Sequence, residues 1–86
     1  MSSEMTKLVI DAVVEVAPDV DPATLDHDAP LRESLELDSM DILNIVVALS
    51  EATGMDIPEQ DYGELTTVTA IARYLEARAA SRATAP

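Results

Sequence analysis

Met5, Leu8, Val9, Ala12, Val13 and Val16 recur at the i, i+3, i+4, i+7 spacing of one helix face. The spacing predicts a first helix near residues 4–16, with Ser2 or Ser3 placed to cap its start and Pro18 to stop it. From 17 to 37 the rhythm breaks. Pro18, Pro22 and Pro30 alternate there with Asp19, Asp21, Asp26 and Asp28, a turn-forming composition. One short helical turn is expected near Pro22–Leu25. Val20, Leu25, Leu31, Leu35 and Leu37 are expected to pin this stretch to a core. An irregular segment this long in a small chain is uncommon and often functional.

The strongest apolar periodicity follows. Asp38 is a good N-cap, Asp41 puts a second acid in the first turn, and Gly54 suits the residue just past the helix end. Between them lie two stripes, Met40, Leu43, Val46 and Val47 on one side and Ile42, Ile45 and Leu49 on the other. One stripe should face the core. The other leaves a wide apolar arc, either deeply packed or offered to a partner. Met55 to Pro58 reads as an extended connector, because the residue before a proline avoids the helical region. Asp61–Leu65 is expected to form a short helix. Thr66 or Thr67 then caps a last helix with Val68, Ile71, Ala72, Leu75 and Ala79 buried, and Arg73, Arg78 and Arg82 toward its dipole-negative end. The expected fold is all-α: a small four-helix bundle, three main helices and one short one, with a long first loop. Residues 1–86 read as one domain, with its core over about 4–79 and a frayed tail at 81–86.

Composition narrows the function classes. The 86 residues carry 17 acids and 5 bases, a net charge of −12. That disfavours nucleic acid and anionic membranes and favours basic partners. Hydrophobic residues make up 48%, enough to fold despite the charge. With no Phe or Trp, the core is built from Leu, Ile, Val, Met and Ala. Without Cys there is no disulfide framework or thiolate metal site, and the lone His27 forms no ligand cluster. Asp26-x-Asp28 fails as an EF-hand, because Pro30, Leu31 and Leu37 stand where a ligand, a glycine and a glutamate are required. No signal-peptide pattern and no run of about 20 apolar residues appears, so a cytoplasmic monomer is the default expectation, with no membrane insertion.

The candidate chemistry is at Ser39. A hydroxyl at a helix start can be no more than part of the cap, and a lone Asp-Ser pair usually is. It can equally carry a phosphodiester, since a helix N-terminus tolerates added negative charge. Its context decides. The run Leu35-x-Leu37-Asp38-Ser39-Met40-Asp41 is followed by the apolar helix Ile42–Leu49, then by Gly54-Met55-Asp56-Ile57-Pro58, Leu65-Thr66-Thr67-Val68, Ile71 and Tyr74-Leu75. With Pro30-Leu31 upstream, this pattern resembles the acyl carrier protein family over about residues 4–79.

The resemblance implies that Ser39 receives 4′-phosphopantetheine from coenzyme A through a phosphopantetheinyl transferase. The imported thiol then holds acyl groups as thioesters for delivery to acyl-transferring or synthase enzymes in fatty acid, lipid or secondary-metabolite biosynthesis. Ser39 is then an attachment point and no catalytic residue, and no metal site is expected. Glu36, Asp38, Met40, Asp41, Ile42, Ile45 and Glu51 are the expected recognition residues for partners with basic and apolar docking patches. Leu43, Val46, Ile57, Leu65, Ile71 and Leu75 are the expected lining of an acyl cleft between the central and last helices. Two departures stand out. Glu36 occupies a position where the family often has Gly. The central helix carries few acids, which points to docking by apolar contact and to a specialised standalone carrier. The alternatives are an unmodified helical interaction module using the apolar central helix, and a carrier of peptidyl or aminoacyl groups. An enzyme is disfavoured by the lack of Cys, the single His and the absence of a Gly-rich loop.

Overall fold

The computed structural model describes residues 3–84. Four α-helices, α1 (Ser3–Val16), α2 (Leu31–Ser34), α3 (Ser39–Thr53) and α4 (Val68–Thr84), are joined by a long first loop and by a connector holding a 3-10 helix, Glu59–Glu64. No strand occurs among the described residues.

The first helix packs against both α3 and α4. Its face Val9, Ala12 and Val13 is buried, as the periodicity predicts, and meets Ile45, Val46 and Leu49 of α3 and Val68, Ile71, Ala72 and Leu75 of α4 in one core. Each fully buried aliphatic side chain contributes roughly 1.5–3 kcal/mol, and this core reaches full burial at eight large side chains with no aromatic ring among them. No helix among the described residues is long and apolar enough to cross a membrane.

The first loop is held by its own acids and by the start of α4. Asp21 Oδ1 accepts the Ala23 N–H and Asp26 Oδ1 accepts the Asp28 N–H, each at 2.9 Å. Asp28 Oδ1 also accepts the Thr69 hydroxyl at 2.9 Å, and the His27 carbonyl accepts the Thr69 N–H at 3.0 Å. A third tie runs from the Leu31 N–H to the Thr66 carbonyl at 2.8 Å. The loop therefore satisfies an orphan donor of the α4 first turn, and Asp26 and Asp28 serve local structure. Thr67 is the α4 cap, accepting the Ala70 N–H at 2.9 Å.

Three boundaries differ from expectation. Residues 22–24 make a turn, closed by the Thr24 N–H on the Asp21 carbonyl, and the helical turn of this loop lies at Leu31–Ser34. The burial of Leu31 and the preset backbone of Pro30 select that position. The short helix of the connector starts two residues early, at Glu59, directly after Pro58. The last helix continues through Thr84, past the expected fraying point at Ser81, while Ala85 and Pro86 lie outside the described residues.

A polar clamp joins the connector to α4. The Tyr74 hydroxyl donates to Asp61 Oδ2 at 2.5 Å, Arg78 lies 3.7 Å from the same carboxylate, and Arg78 also donates to the Asp56 carbonyl at 3.0 Å. The guanidinium sits 5.5 Å from the Tyr74 ring centroid, a cation–π contact. Burial, and then the bond to Asp61, push the Tyr74 phenol up from 10.0 to about 12, although Arg78 pulls the other way. A raised folded-state value means that the clamp's contribution is complete below pH 10 and is lost as pH rises through 12. Stability should therefore fall over that window. In a Tyr62→Phe protein, absorbance titration should place the remaining phenol near 12, and Asp61→Asn should lower it. An unchanged midpoint in Asp61→Asn would contradict this origin of the shift.

Candidate functional site

The end of α2 and the start of α3 form one continuous device. The Leu37 N–H reaches back to the Arg32 carbonyl at 2.9 Å, the six-to-one bond of a Schellman ending, with Leu37 buried beneath it. Glu36 lies at the position that this ending holds in the left-handed region, with φ 54°. Here glycine fits without strain and glutamate does not. The position at which the sequence departs from the family pattern is thus one with a backbone reason for glycine.

Two residues on, the chain enters α3 through a reciprocal cap. Asp38 Oδ1 accepts the Asp41 N–H at 2.9 Å, and Asp41 Oδ2 accepts the Asp38 N–H at 3.2 Å. Both acids also sit at the positive end of the helix dipole. Ser39 is the first helical residue, exposed, and its hydroxyl makes no hydrogen bond among the described residues. A hydroxyl left out of the cap, beside a neighbour that supplies it, is free for covalent chemistry. It has no hydrogen-bonded base, so proton removal needs an outside group.

The expected recognition residues separate. Glu36, Asp38 and Glu51 are exposed, Asp41 and Ile42 half-buried, and Met40 is 63% exposed. Ile45 is 2% exposed, which removes it from any partner surface in this conformation. The reason is the helix phase: Ile45, Val46 and Leu49 turn into the core that α3 shares with α1 and α4, with Ile42 partly buried against it, leaving Met40, Leu43 and Val47 outside. Leu43 at 39% and Val47 at 47% exposure, with Met40, form the outward apolar strip.

The residues expected to line an acyl cleft also separate. Val46, Ile57, Leu65, Ile71 and Leu75 are packed core, and Leu43 faces solvent. The open space lies elsewhere. A groove of about 390 Å³ runs beside Ser39, walled by Arg32 and Glu33 of α2, Ile42 of α3, and Tyr62 and Leu65 of the connector. Of the six expected cleft residues, Leu65 reaches it. Arg32 and Tyr62 were not among the expected site residues. The available signal for Arg32 was its isolation, since no other Lys or Arg occurs between Lys7 and Arg73.

Comparison with known proteins agrees with this geometry. The family described as "phosphopantetheine attachment site" matches residues 7–75. An acyl carrier protein from Rubrobacter xylanophilus is 33% identical over 70 residues, covering 78% of this chain and 86% of its own. One from Bdellovibrio bacteriovorus is 39% identical over 57 residues, covering 66% and 73%. A solution structure described as an acyl carrier protein from Anaplasma phagocytophilum superposes with a TM-score of 0.81 at 26% identity, covering 90% of each chain.

The strain at Glu36 yields a stability test. Glu36→Gly should stabilise the fold by about 0.5–1 kcal/mol, the relieved left-handed strain exceeding the added freedom of the unfolded chain. Glu36→Val should destabilise it by about 1–2 kcal/mol, since a β-branched residue tolerates positive φ least. Urea unfolding reads both, and a Gly variant less stable than the parent would contradict the assignment.

Proposed function

The chain belongs to the phosphopantetheine-attachment family, and from that membership we propose that Ser39 is the residue on which it carries 4′-phosphopantetheine. Its function is that of an acyl carrier protein, and it is not itself an enzyme. The group, when bound, supplies the thiol that holds acyl cargo as thioesters, which this Cys-free chain does not provide. The observation that supports Ser39 is its exposed, unbonded hydroxyl at the first position of a capped helix, opening onto a groove.

The chain's own part is presentation. Asp38 and Asp41 fix the helix start, and with it the backbone from which the exposed Ser39 hydroxyl is presented. In loading, Ser39 Oγ would form the new O–P bond to the phosphopantetheine phosphorus as the pyrophosphate P–O bond of coenzyme A breaks, adenosine 3′,5′-bisphosphate leaves, and the hydroxyl proton passes to a base on the transferase. Acyl carrier proteins work with phosphopantetheinyl transferases and synthase enzymes. For this chain we propose docking through the strip Met40, Leu43 and Val47, flanked by Asp41 and Glu51. Basic patches would be steered by the acids and held by apolar contact. The proposed cargo is an acyl group of fatty acid, lipid or secondary-metabolite assembly. The proposed setting is the cytoplasm, with residues 1–86 acting as one monomeric domain.

Incubation with coenzyme A and a broad-specificity transferase should add one phosphopantetheine by intact mass, and Ser39→Ala should add none. A parent that stays bare while folded would favour the unmodified interaction module. Leu43→Glu should leave melting nearly unchanged and slow loading by about tenfold, the scale of an interface anchor of roughly 1–2 kcal/mol. Loading at the parent rate would remove the strip from the docking surface.

A further inference from the structure

Arg32 is the one Lys or Arg between Lys7 and Arg73 in a chain of net charge −12. It is exposed, and its guanidinium makes no hydrogen bond or ion pair among the described residues. Arg78, by contrast, is committed to Asp61 and to the Asp56 carbonyl. Arg32 and Ser39 line the same groove.

We propose that Arg32 is an anion clamp that pairs with the phosphodiester formed at Ser39, and that the groove beside it receives the pantetheine segment of the arm. The proposal rests on Ser39 being the attachment residue. Three observations carry it. First, charge: an added phosphodiester enters a neighbourhood already holding Glu33, Glu36, Asp38 and Asp41. Of the bases, Arg32 is the one that shares a groove with Ser39 and so can offset the repulsion. Its planar fork matches phosphate oxygens better than an ammonium does. Second, space: about 390 Å³ lies within the range of small-ligand sites, roughly 300–1,000 Å³. Third, lining: Ile42 and Leu65 offer apolar wall for the dimethyl carbon of pantetheine, and Tyr62 and Thr66 offer polar groups for its amides. The tether makes docking intramolecular, so weak contacts suffice to hold the arm.

The test compares melting of the bare and loaded forms, with loading verified by mass, in the parent, Arg32→Gln, Arg32→Lys and the control Arg73→Gln, an exposed base that does not line the groove. At low salt the loaded parent should melt a few degrees above its bare form. Arg32→Gln should lose or reverse that rise, Arg32→Lys should keep part of it, and Arg73→Gln should keep it whole. A purely structural role for Arg32 would shift both forms together and leave their difference intact. Phosphorus NMR supplies the second readout: the phosphodiester resonance of folded loaded Arg32→Gln should move toward that of the urea-unfolded loaded chain. Equal loading shifts in the parent and Arg32→Gln, or a loaded parent that melts no higher than its bare form, would overturn the clamp. Absence of any mass gain on the parent would instead remove the Ser39 reading beneath it.

Discussion

Reciprocal hydrogen bonds between Asp38 and Asp41 set where the central helix begins, and the rest of the site depends on that point. A cap of this kind contributes about 0.5–2 kcal/mol, a large share of the stability of a small domain. Its second effect is positional. With Asp38 supplying the cap, Ser39 falls at the first helical position, with its hydroxyl uncommitted and exposed. A helix beginning one residue later would turn Ser39 into the capping group and commit its hydroxyl to the backbone.

The chain leading into that cap is held from both sides. Leu31 and Leu37 bury themselves in the core, and the Schellman ending of α2 turns the backbone between them at the cost of a glutamate in the left-handed region. Farther back, His27, Asp28 and Leu31 bond to the start of α4. The long first loop is therefore a strut between two helix N-termini. These ties hold the loop that leads into Ser39 in a chain with no aromatic core residue and a net charge of −12.

Much of this was readable from residues. The α1 face, the Asp38 cap, the Gly54 ending with φ 70° and the α4 stripe all follow local rules of spacing and backbone preference. The family resemblance rested on the same short-range signals. What stayed hidden depends on tertiary packing. Two stripes on α3 are legible, but the buried set, Ile45, Val46 and Leu49, draws on both, because packing against α1 sets the phase; Ile45 therefore lies inside and Leu43 outside. The groove was missed because its walls come from α2, α3 and the connector, segments far apart in sequence. Asp61, expected only as the start of a short helix, is bound by Tyr74 and Arg78 from a helix beyond the connector.

Fragment mass spectrometry of the loaded protein tests the central claim most directly, because it maps the added group onto one serine. Ser34 ends α2, and Ser50 lies toward the far end of α3 with its hydroxyl donating to the Met55 carbonyl at 2.8 Å, so neither has the capped, groove-facing start. The account predicts phosphopantetheine on Ser39 and on no other residue. Modification at Ser34 or Ser50, with Ser39 unmodified, would contradict it.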